Sequence, residues 1–417
     1  MRTNRISKTM DIFVLLLSFV LPISIAGTNI LGGAIVVLFL LGVFFHHDYW
    51  PLEFGFAEKG YLLFIAISFL SVCTAVNPLK GLHEIYKKDF YYIFPFLLVP
   101  VFRRRPMLAD RSWLVFLLSS LLTAAFGIMQ FVLQVDQNDN HGLIVSVPSY
   151  LSHVSPKILD FIGLINGRAA GTRSHPLSYA GCLLFALAIA IHPVLAKNRI
   201  SWRRWLAVSL LIGSLIVSQS RGPWIAALVM VGVHLLIVRP RRMLRLVLLL
   251  GPIWLLFQLP IFHKRAETIV DKNFMSNTER LRMWHVGWLM VQERPFLGFG
   301  PGSVKLVSPQ FQEPVDRIEG PWGHLHNSFI HIAAERGLLG MVFFVIMMGS
   351  FLYELIRACR WPIETTPDAD ILLPVILGIL GFLVSGLTQT NYNDAVVIMT
   401  FYFCLAHGLA RARGNTR

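Results

Sequence analysis

The sequence predicts an all-α protein that crosses a membrane many times. Of its 417 residues, 55% are hydrophobic and only 14% are charged, which is too little charge for the surface of a soluble chain of this length. The mean hydropathy is +0.61, and the apolar residues fall in runs close to the roughly 20 residues that a spanning helix needs. A bilayer is therefore the expected solvent for much of the chain.

About twelve apolar segments are predicted to be spanning helices. These segments are 10–26, 28–46, 60–76, 90–102, 112–135, 175–195, 204–219, 223–238, 243–258, 326–356, 371–388 and 394–410. The segment at 90–102 departs most from a regular span, because it is short and contains Pro95 and Pro100. The first run has no small-residue cleavage site after it, so it is predicted to be a retained helix.

The positions of Lys and Arg predict the orientation of these helices. Basic clusters lie in alternate loops, near residues 2–8, 103–111, 197–204, 239–245, 357–360 and 411–417. The positive-inside rule places these loops in the cytoplasm, with Lys80, Lys87 and Lys88 as the exception on the other side. The net charge of +14 is thus spread over loops, and no nucleic-acid partner is expected.

This orientation divides the chain into three regions. Residues 1–258 hold membrane helices 1–9 and a periplasmic loop at about 136–174, and residues 259–325 form a large periplasmic loop between helices 9 and 10. Residues 326–417 hold helices 10–12. Chemistry is therefore expected on the periplasmic face, in the two loops and the helix ends beside them.

His326 is the candidate general base. It precedes Asn327 and Ser328, either of which could cap a helix that enters the membrane. The positive end of the helix dipole disfavours a protonated imidazole, and a general base must be neutral. The alternative is an interfacial histidine bonded to local backbone. Gly337 and Gly340, one turn apart, are expected to let a neighbouring helix approach closely.

Several arginines are candidates for binding phosphate. Arg221 lies between two apolar runs beside Pro223, and its alternative role is snorkelling to lipid headgroups. Guanidinium is a bidentate donor that suits phosphate oxygens. The further candidates are Arg280 and Arg282 near a helix start, Arg168 with Arg173 at the end of the first loop, and the weaker Lys264 and Arg265.

No metal or other cofactor is predicted. The sequence shows no acidic pair or Asp-x-Asp arrangement at a periplasmic helix end that would hold Mg²⁺ on a diphosphate. The four cysteines lack Cys-x-x-Cys spacing, so neither a zinc site nor a disulfide framework is indicated. The Gly298, Gly300 and Gly302 run follows no strand, so it predicts a tight turn rather than a dinucleotide site.

Four motifs, taken together, resemble the O-antigen ligase and O-antigen polymerase superfamily. The first is His326-Asn327, nine residues, then Gly337-Leu338-Leu339-Gly340. The others are Ser220-Arg221-Gly222, the stretch from Arg280 to Trp284 with Pro-x-x-Gly-x-Gly at 295–300, and Arg168-x-x-Gly171-Thr172. The resemblance covers about 165–345, and the first 130 residues contribute topology only.

The resemblance implies a GT-C-like fold and a metal-independent, inverting glycosyltransferase. The implied donor is a glycan on undecaprenyl pyrophosphate, and the implied acceptor of a ligase is the lipid A-core in a Gram-negative inner membrane. His326 would act as the base, and Arg221 with Arg280 or Arg282 would stabilise the pyrophosphate. The alternatives are a polymerase, a protein O-oligosaccharyltransferase and, from a different class, a transporter of lipid-linked sugars.

Overall fold

The computed structural model describes residues 5–46, 55–91, 94–133, 136–137, 164–165, 167–196, 201–237, 258, 260–269, 271, 275–313, 321–359 and 368–414. These residues are mainly helical. The α-helices are α1 (Arg5–Val20), α2 (Ile25–His46), α3 (Phe56–Val72), α4 (Pro78–Glu84), α5 (Leu98–Arg104), α6 (Pro106–Leu133), α7 (Pro176–Ala196), α8 (Trp202–Val217), α9 (Arg221–Ile237), α10 (Pro260–Glu267), α11 (Met275–Glu293), α12 (Val304–Val307), α13 (Ser328–Ala358), α14 (Ala369–Gly386) and α15 (Ala395–Gly414).

Short irregular elements connect some of these helices. They are a π-helix (Ile85–Tyr91), 3₁₀-helices (Phe94–Leu97, Ser308–Gln310 and Asn391–Asn393) and two strands, β1 (Asp136–Gln137) and β2 (Leu164–Ile165). The strands are parallel, with Asp136 paired to Leu164. The sequence did not predict the strands, which are only two residues long and have no periodic pattern.

Six of the described helices are long and apolar enough to cross a membrane: α2, α6, α7, α13, α14 and α15. The shorter apolar helix α9 falls at a predicted span, as do α1, α3 and α8. The span predicted at 90–102 is not one helix, because π, 3₁₀ and α segments with different turns succeed one another there. The span predicted at 243–258 lies almost wholly outside the described residues.

The core of the bundle is built around α7 and α15. Nearly all side chains of both helices are buried, which is typical of helices that are apolar on every face. α14 packs against α7, α9 and α15, while α13 packs along α3. Small residues permit these close contacts, as at Gly378 of α14 beside Phe185 of α7.

The described part of the 259–325 region is folded onto the bundle. It contains α10, α11, α12 and a 3₁₀-helix, and a second apolar cluster joins it to α13. In this cluster Val286 and Met290 of α11 pack with Leu325 and Ala334. The cluster fixes α11 beside the start of α13, where the candidate base lies.

Candidate active site

Asn327 begins helix α13 and fixes the position of His326. Its Oδ1 accepts hydrogen bonds from the backbone N–H groups of Phe329 and Ile330 at 2.9 and 3.0 Å, so it is one of the two predicted N-caps. Its Nδ2 donates to the carbonyl of Leu387 at 2.9 Å and ties α13 to the end of α14. His326 has a φ of 47°, in the left-handed region that few non-glycine residues occupy. The imidazole therefore lies just outside the helix.

His326 lines a cavity of about 370 Å³, which we call the histidine cavity. Its walls come from the π-helix, the start of α7, the loop before α13 and the segment between α14 and α15. Its polar lining includes Lys88, His175, His324, His326, Asn393 and Asp394. The ring centroids of His324 and His326 are 4.3 Å apart. A polar ligand in this cavity would contact the imidazole of His326.

The surroundings of His326 favour its neutral imidazole. Burial is the largest cause that lowers its pKa from 6.5 to about 3, followed by His324 and Arg280. Burial also lowers the pKa of His324 and of His175. The helix dipole was the predicted cause, whereas in the structure the desolvation of the buried ring lowers the pKa most. A neutral imidazole can accept a proton from a hydroxyl group.

Arg221 and Arg280 line a second cavity of about 320 Å³, which we call the arginine cavity. Arg221 is buried at the start of α9, and its guanidinium donates to the carbonyl of Thr268 and to Ser276 Oγ, the latter at 3.4 Å. The side chain is therefore held by Thr268 and Ser276, and snorkelling to lipid headgroups does not explain these contacts. Asp271 also lines this cavity.

The two cavities adjoin. Thr388 lines the arginine cavity, and the next residue, Gln389, lines the histidine cavity. Arg280 also contributes electrostatically to the lowered pKa of His326. The structure thus brings three of the predicted residues, His326, Arg221 and Arg280, to one end of the bundle.

The other predicted arginines are placed differently. Arg168 donates from Nε to the carbonyl of Ser218 at 3.0 Å and from a terminal nitrogen to Ser220 Oγ at 2.9 Å. It thereby braces the turn that leads into Arg221 and lines neither cavity. Arg282 is exposed on α11, outside both linings. The side chain of Arg265 lies outside what the structure describes.

The neighbour of Gly337 is a turn and not the helix that the motif predicted. Gly337 has φ 72° and ψ 178° inside α13, and a Cβ there would lie 2.0 Å from the carbonyl oxygen of Phe296. The backbone N–H of Leu338 donates to the carbonyl of Pro295 at 2.7 Å. The turn at 295–302 is the predicted one, with positive φ at its three glycines. The space beside Gly340 is occupied by the side chain of Arg336.

Lys88, Asn393 and Asp394 are among the polar residues of the histidine cavity that were not predicted as site residues. Lys88 was recorded only as an exception to the positive-inside pattern, and that exception was the signal that could have identified it. Asp394 caps α15, since its Oδ1 accepts the N–H groups of Val396 and Val397 at 3.1 and 3.3 Å. Asn393 beside it is hydrogen-bonded to His331. Residues before 130 therefore contribute to the site as well as to topology.

A family model described as O-Antigen ligase, Wzy_C, matches residues 206–345 of this chain. The matched region includes Arg221, Arg280 and His326 together with Gly337 and Gly340. The resemblance inferred from the four motifs is confirmed over this region. Lys88, Arg168 and Asp394 lie outside it.

Three curated relatives are similar to parts of this chain. A ComP-specific O-oligosaccharyltransferase of Acinetobacter baylyi is 24% identical over 236 residues, which are 52% of this chain and 42% of that protein. Proteins of Rickettsia conorii and Rickettsia felis named as polysaccharide ligases are 29% and 26% identical over 84 residues, 19% of this chain. The similarity spans 20% and 21% of those two relatives, so the chain matches well under half the length of each of the three.

Proposed function

We propose that this chain, which carries an O-antigen ligase domain at residues 206–345, transfers glycan from undecaprenyl pyrophosphate to the lipid A-core. The observation that carries this proposal is the pair of adjoining cavities. One presents a neutral imidazole at His326 and the other presents the guanidinium groups of Arg221 and Arg280. Two cavities with different side chains suit a transfer in which the donor binds in one cavity and the acceptor binds in the other.

The arginine cavity suits the pyrophosphate of the donor. Two guanidinium groups can grip phosphate oxygens and stabilise the charge that develops on the leaving pyrophosphate, a role that metal ions fill in other enzymes. Removing one such donor typically lowers a rate by about 10²–10³. The apolar side chains Ile225 and Leu281 in the same lining suit the lipid end of the donor. On this proposal the transfer needs no metal ion.

The histidine cavity then holds the acceptor. His326 takes the proton of an acceptor hydroxyl as its oxygen attacks the anomeric carbon, and the bond from that carbon to the pyrophosphate oxygen breaks with inversion. The negative charge of bound pyrophosphate offsets the effect of Arg280 on His326. The imidazole therefore becomes a stronger base once the donor is in place.

The proposal includes an orientation in the inner membrane of a Gram-negative cell. His326, Arg280 and the 259–325 region would face the periplasm, and residues 1–258 and 326–417 would supply the membrane helices. Lys88 lines the histidine cavity, so the lysine that departs from the positive-inside pattern lies at the proposed periplasmic end. Its ammonium group lies 2.8 Å from a carboxylate oxygen of Glu84, and this pairing offsets its charge.

Two related activities use the same chemistry with other acceptors. The similarity to an O-oligosaccharyltransferase favours a protein acceptor as the second candidate, and a polymerase would use a growing glycan. The test is purified protein with lipid-linked glycan donor, EDTA and no ion gradient, given lipid A-core, a second lipid-linked glycan or a pilin-like protein. We expect transfer to lipid A-core. Transfer only to another acceptor would reassign the activity, and movement of donor without transfer would indicate a transporter.

A further inference from the structure

Arg336 is a completely buried charge in the described bundle, directly before Gly337. It lies on α13, and its guanidinium donates to Asp89 at 3.1 Å, to Glu335 at 3.1 Å and to Ser68 Oγ at 2.9 Å. Its guanidinium carbon also lies 5.5 Å from the ring centroid of Phe64. An arginine that is buried in this way is stable only because its charge and its donors are paired.

The partners of Arg336 reach further segments. The carboxylate of Asp89 accepts the hydroxyl of Tyr392 at 2.7 Å. Glu335 accepts the backbone N–H of Gly302 at 2.8 Å and lies 3.3 Å from Nε2 of His331. We call these residues, with Arg336, the Arg336 network. It joins α3, the π-helix, the 295–302 turn, α13 and the 3₁₀-helix before α15.

Two of these segments form walls of the histidine cavity. Lys88 lines the cavity, and the adjacent Asp89 is buried against Arg336. The π-helix carries both residues, and π-helical turns are frequent at functional sites. Asn391 and Asn393 line the cavity on either side of Tyr392, and His331 is hydrogen-bonded to Asn393. None of the residues in the Arg336 network lines the arginine cavity as the structure describes it.

We propose that Arg336 is a positioning residue for the acceptor of the transfer. It holds the Lys88 wall and the Asn393 wall of the histidine cavity at a fixed separation, while the arginine cavity shares with these walls only the segment that begins at Thr388. Loss of Arg336 therefore weakens use of the acceptor and leaves use of the donor unchanged. This inference rests on the proposed function, because it takes the histidine cavity as the acceptor site.

The kinetic test compares Arg336→Met and Arg336→Lys with the wild-type protein, with acceptor and donor titrated separately. Misplacing a bound group by about 1 Å can lower a rate by about 10², so we expect the acceptor kcat/KM of Arg336→Met to fall by about tenfold to a hundredfold. The donor KM should stay within about twofold of wild type, as expected where no contact changes. The acceptor kcat/KM of Arg336→Lys should lie between those of Arg336→Met and the wild-type protein, because an ammonium group keeps the charge but not the planar set of guanidinium donors.

Arg413→Met is the matched control. Arg413 also bonds two carboxylates, Glu58 at 2.7 and 2.9 Å and Glu354 at 2.6 Å, but it does so at the other end of the bundle. Its loss should lower thermal stability without changing the KM of either substrate. If Arg336→Met does not fold, the same kinetic comparison is made with Tyr392→Phe, which removes only the hydroxyl group that donates to Asp89. Its acceptor kcat/KM should fall while its donor KM stays unchanged.

Hydrogen–deuterium exchange supplies a readout that does not depend on transfer. Arg336→Met should speed exchange at 85–91 and 389–394 and leave 275–290 unchanged. An equal rise in the KM of both substrates, or unchanged exchange at the two walls, would overturn the inference. Absence of transfer by the wild-type protein would instead overturn the proposed function, and exchange would still decide whether Arg336 holds the walls.

Discussion

The indole N–H of Trp284 donates to the backbone carbonyl of His326, with an N···O distance of 3.4 Å. Trp284 lies one helical turn after Arg280 on α11. The helix that presents Arg280 to the arginine cavity thus also holds the backbone of His326. The two contacts are one turn apart on α11, so this helix links the backbone of His326 to the position of Arg280.

Replacing His326 tests the base. His326→Ala should lower transfer by roughly 10²–10⁴ and leave donor binding nearly unchanged, since the arginines hold the pyrophosphate. His285→Ala, on the exposed face of α11, is the control and should transfer normally. Initial rates and a separate donor-binding assay give both quantities. Near-normal transfer by His326→Ala would remove the base assignment.

The two arginines of α11 should separate cleanly. Arg280→Ala should lower transfer by about 10²–10³, because Arg280 lines the arginine cavity. Arg282→Ala should keep most of its activity, because Arg282 is exposed outside that lining. Arg221→Lys should restore little of the transfer activity that Arg221→Ala loses, since an ammonium group cannot grip two oxygens. Equal losses in Arg280→Ala and Arg282→Ala would contradict the placement.

The substrate-free protein should lose stability in mild acid through His326. The pKa of His326 is lowered to about 3 in the folded state, against about 6.5 when unfolded. As the pH falls, the unfolded chain therefore binds the proton first. The contribution of His326 to the free energy of unfolding is complete above pH 6.5 and declines as the pH falls towards 3. As the pH is lowered, the Tm in detergent should fall more steeply for the wild-type protein than for His326→Gln. Parallel curves would count against a buried neutral imidazole.

Gly337 and Gly349 provide a matched pair on α13. Gly337→Ala should destabilise the protein by about 1–3 kcal/mol from backbone strain alone, with a further cost from the clash with Phe296. Gly349 has open space beside its Cα, so Gly349→Ala should raise stability by about 0.5–1 kcal/mol. Thermal unfolding of purified variants measures both. A stable Gly337→Ala protein would show that α13 can be straightened.

Thiol labelling tests the orientation. In a variant whose exposed Cys73 is replaced by Ser, a cysteine at Glu313 should react in intact cells with an impermeant reagent that enters the periplasm. A cysteine at Arg104 should react only after the inner membrane is opened, because its loop is expected in the cytoplasm. The opposite pattern would remove both the topology and the proposed face of the site.

Helix positions and the N-cap at Asn327 could be predicted because their signals are local. Apolar periodicity and a polar residue before an apolar run are read within a few residues of the element that they form. The same holds for Arg221 and Arg280, which stand out as cations near helix starts. That Arg221 and Arg280 lie together, next to the cavity that His326 lines, was implied by the motif resemblance and not by spacing alone.

The contacts of Asp89 and the conformation of Gly337 could not be predicted in this way. Asp89 and Arg336 are 247 residues apart in sequence, so no local pattern indicates their pairing. Gly337 lies at helical spacing from Gly340, and spacing does not reveal a positive φ that only tertiary contact with the 295–302 turn requires. Arg168 has the sequence features of a phosphate ligand, and only the folded chain shows that it braces Ser218 and Ser220.

The burial of Arg336 bears on how the chain enters the membrane during synthesis. A charged side chain without partners is costly in a membrane protein, and the partners Ser68 and Asp89 are translated before Arg336. The N-terminal helices must therefore be present to receive α13 as it leaves the translocon. A chain that begins after residue 130 would leave that arginine without two of its partners, and its α13 should insert poorly even though the family-matched region is intact.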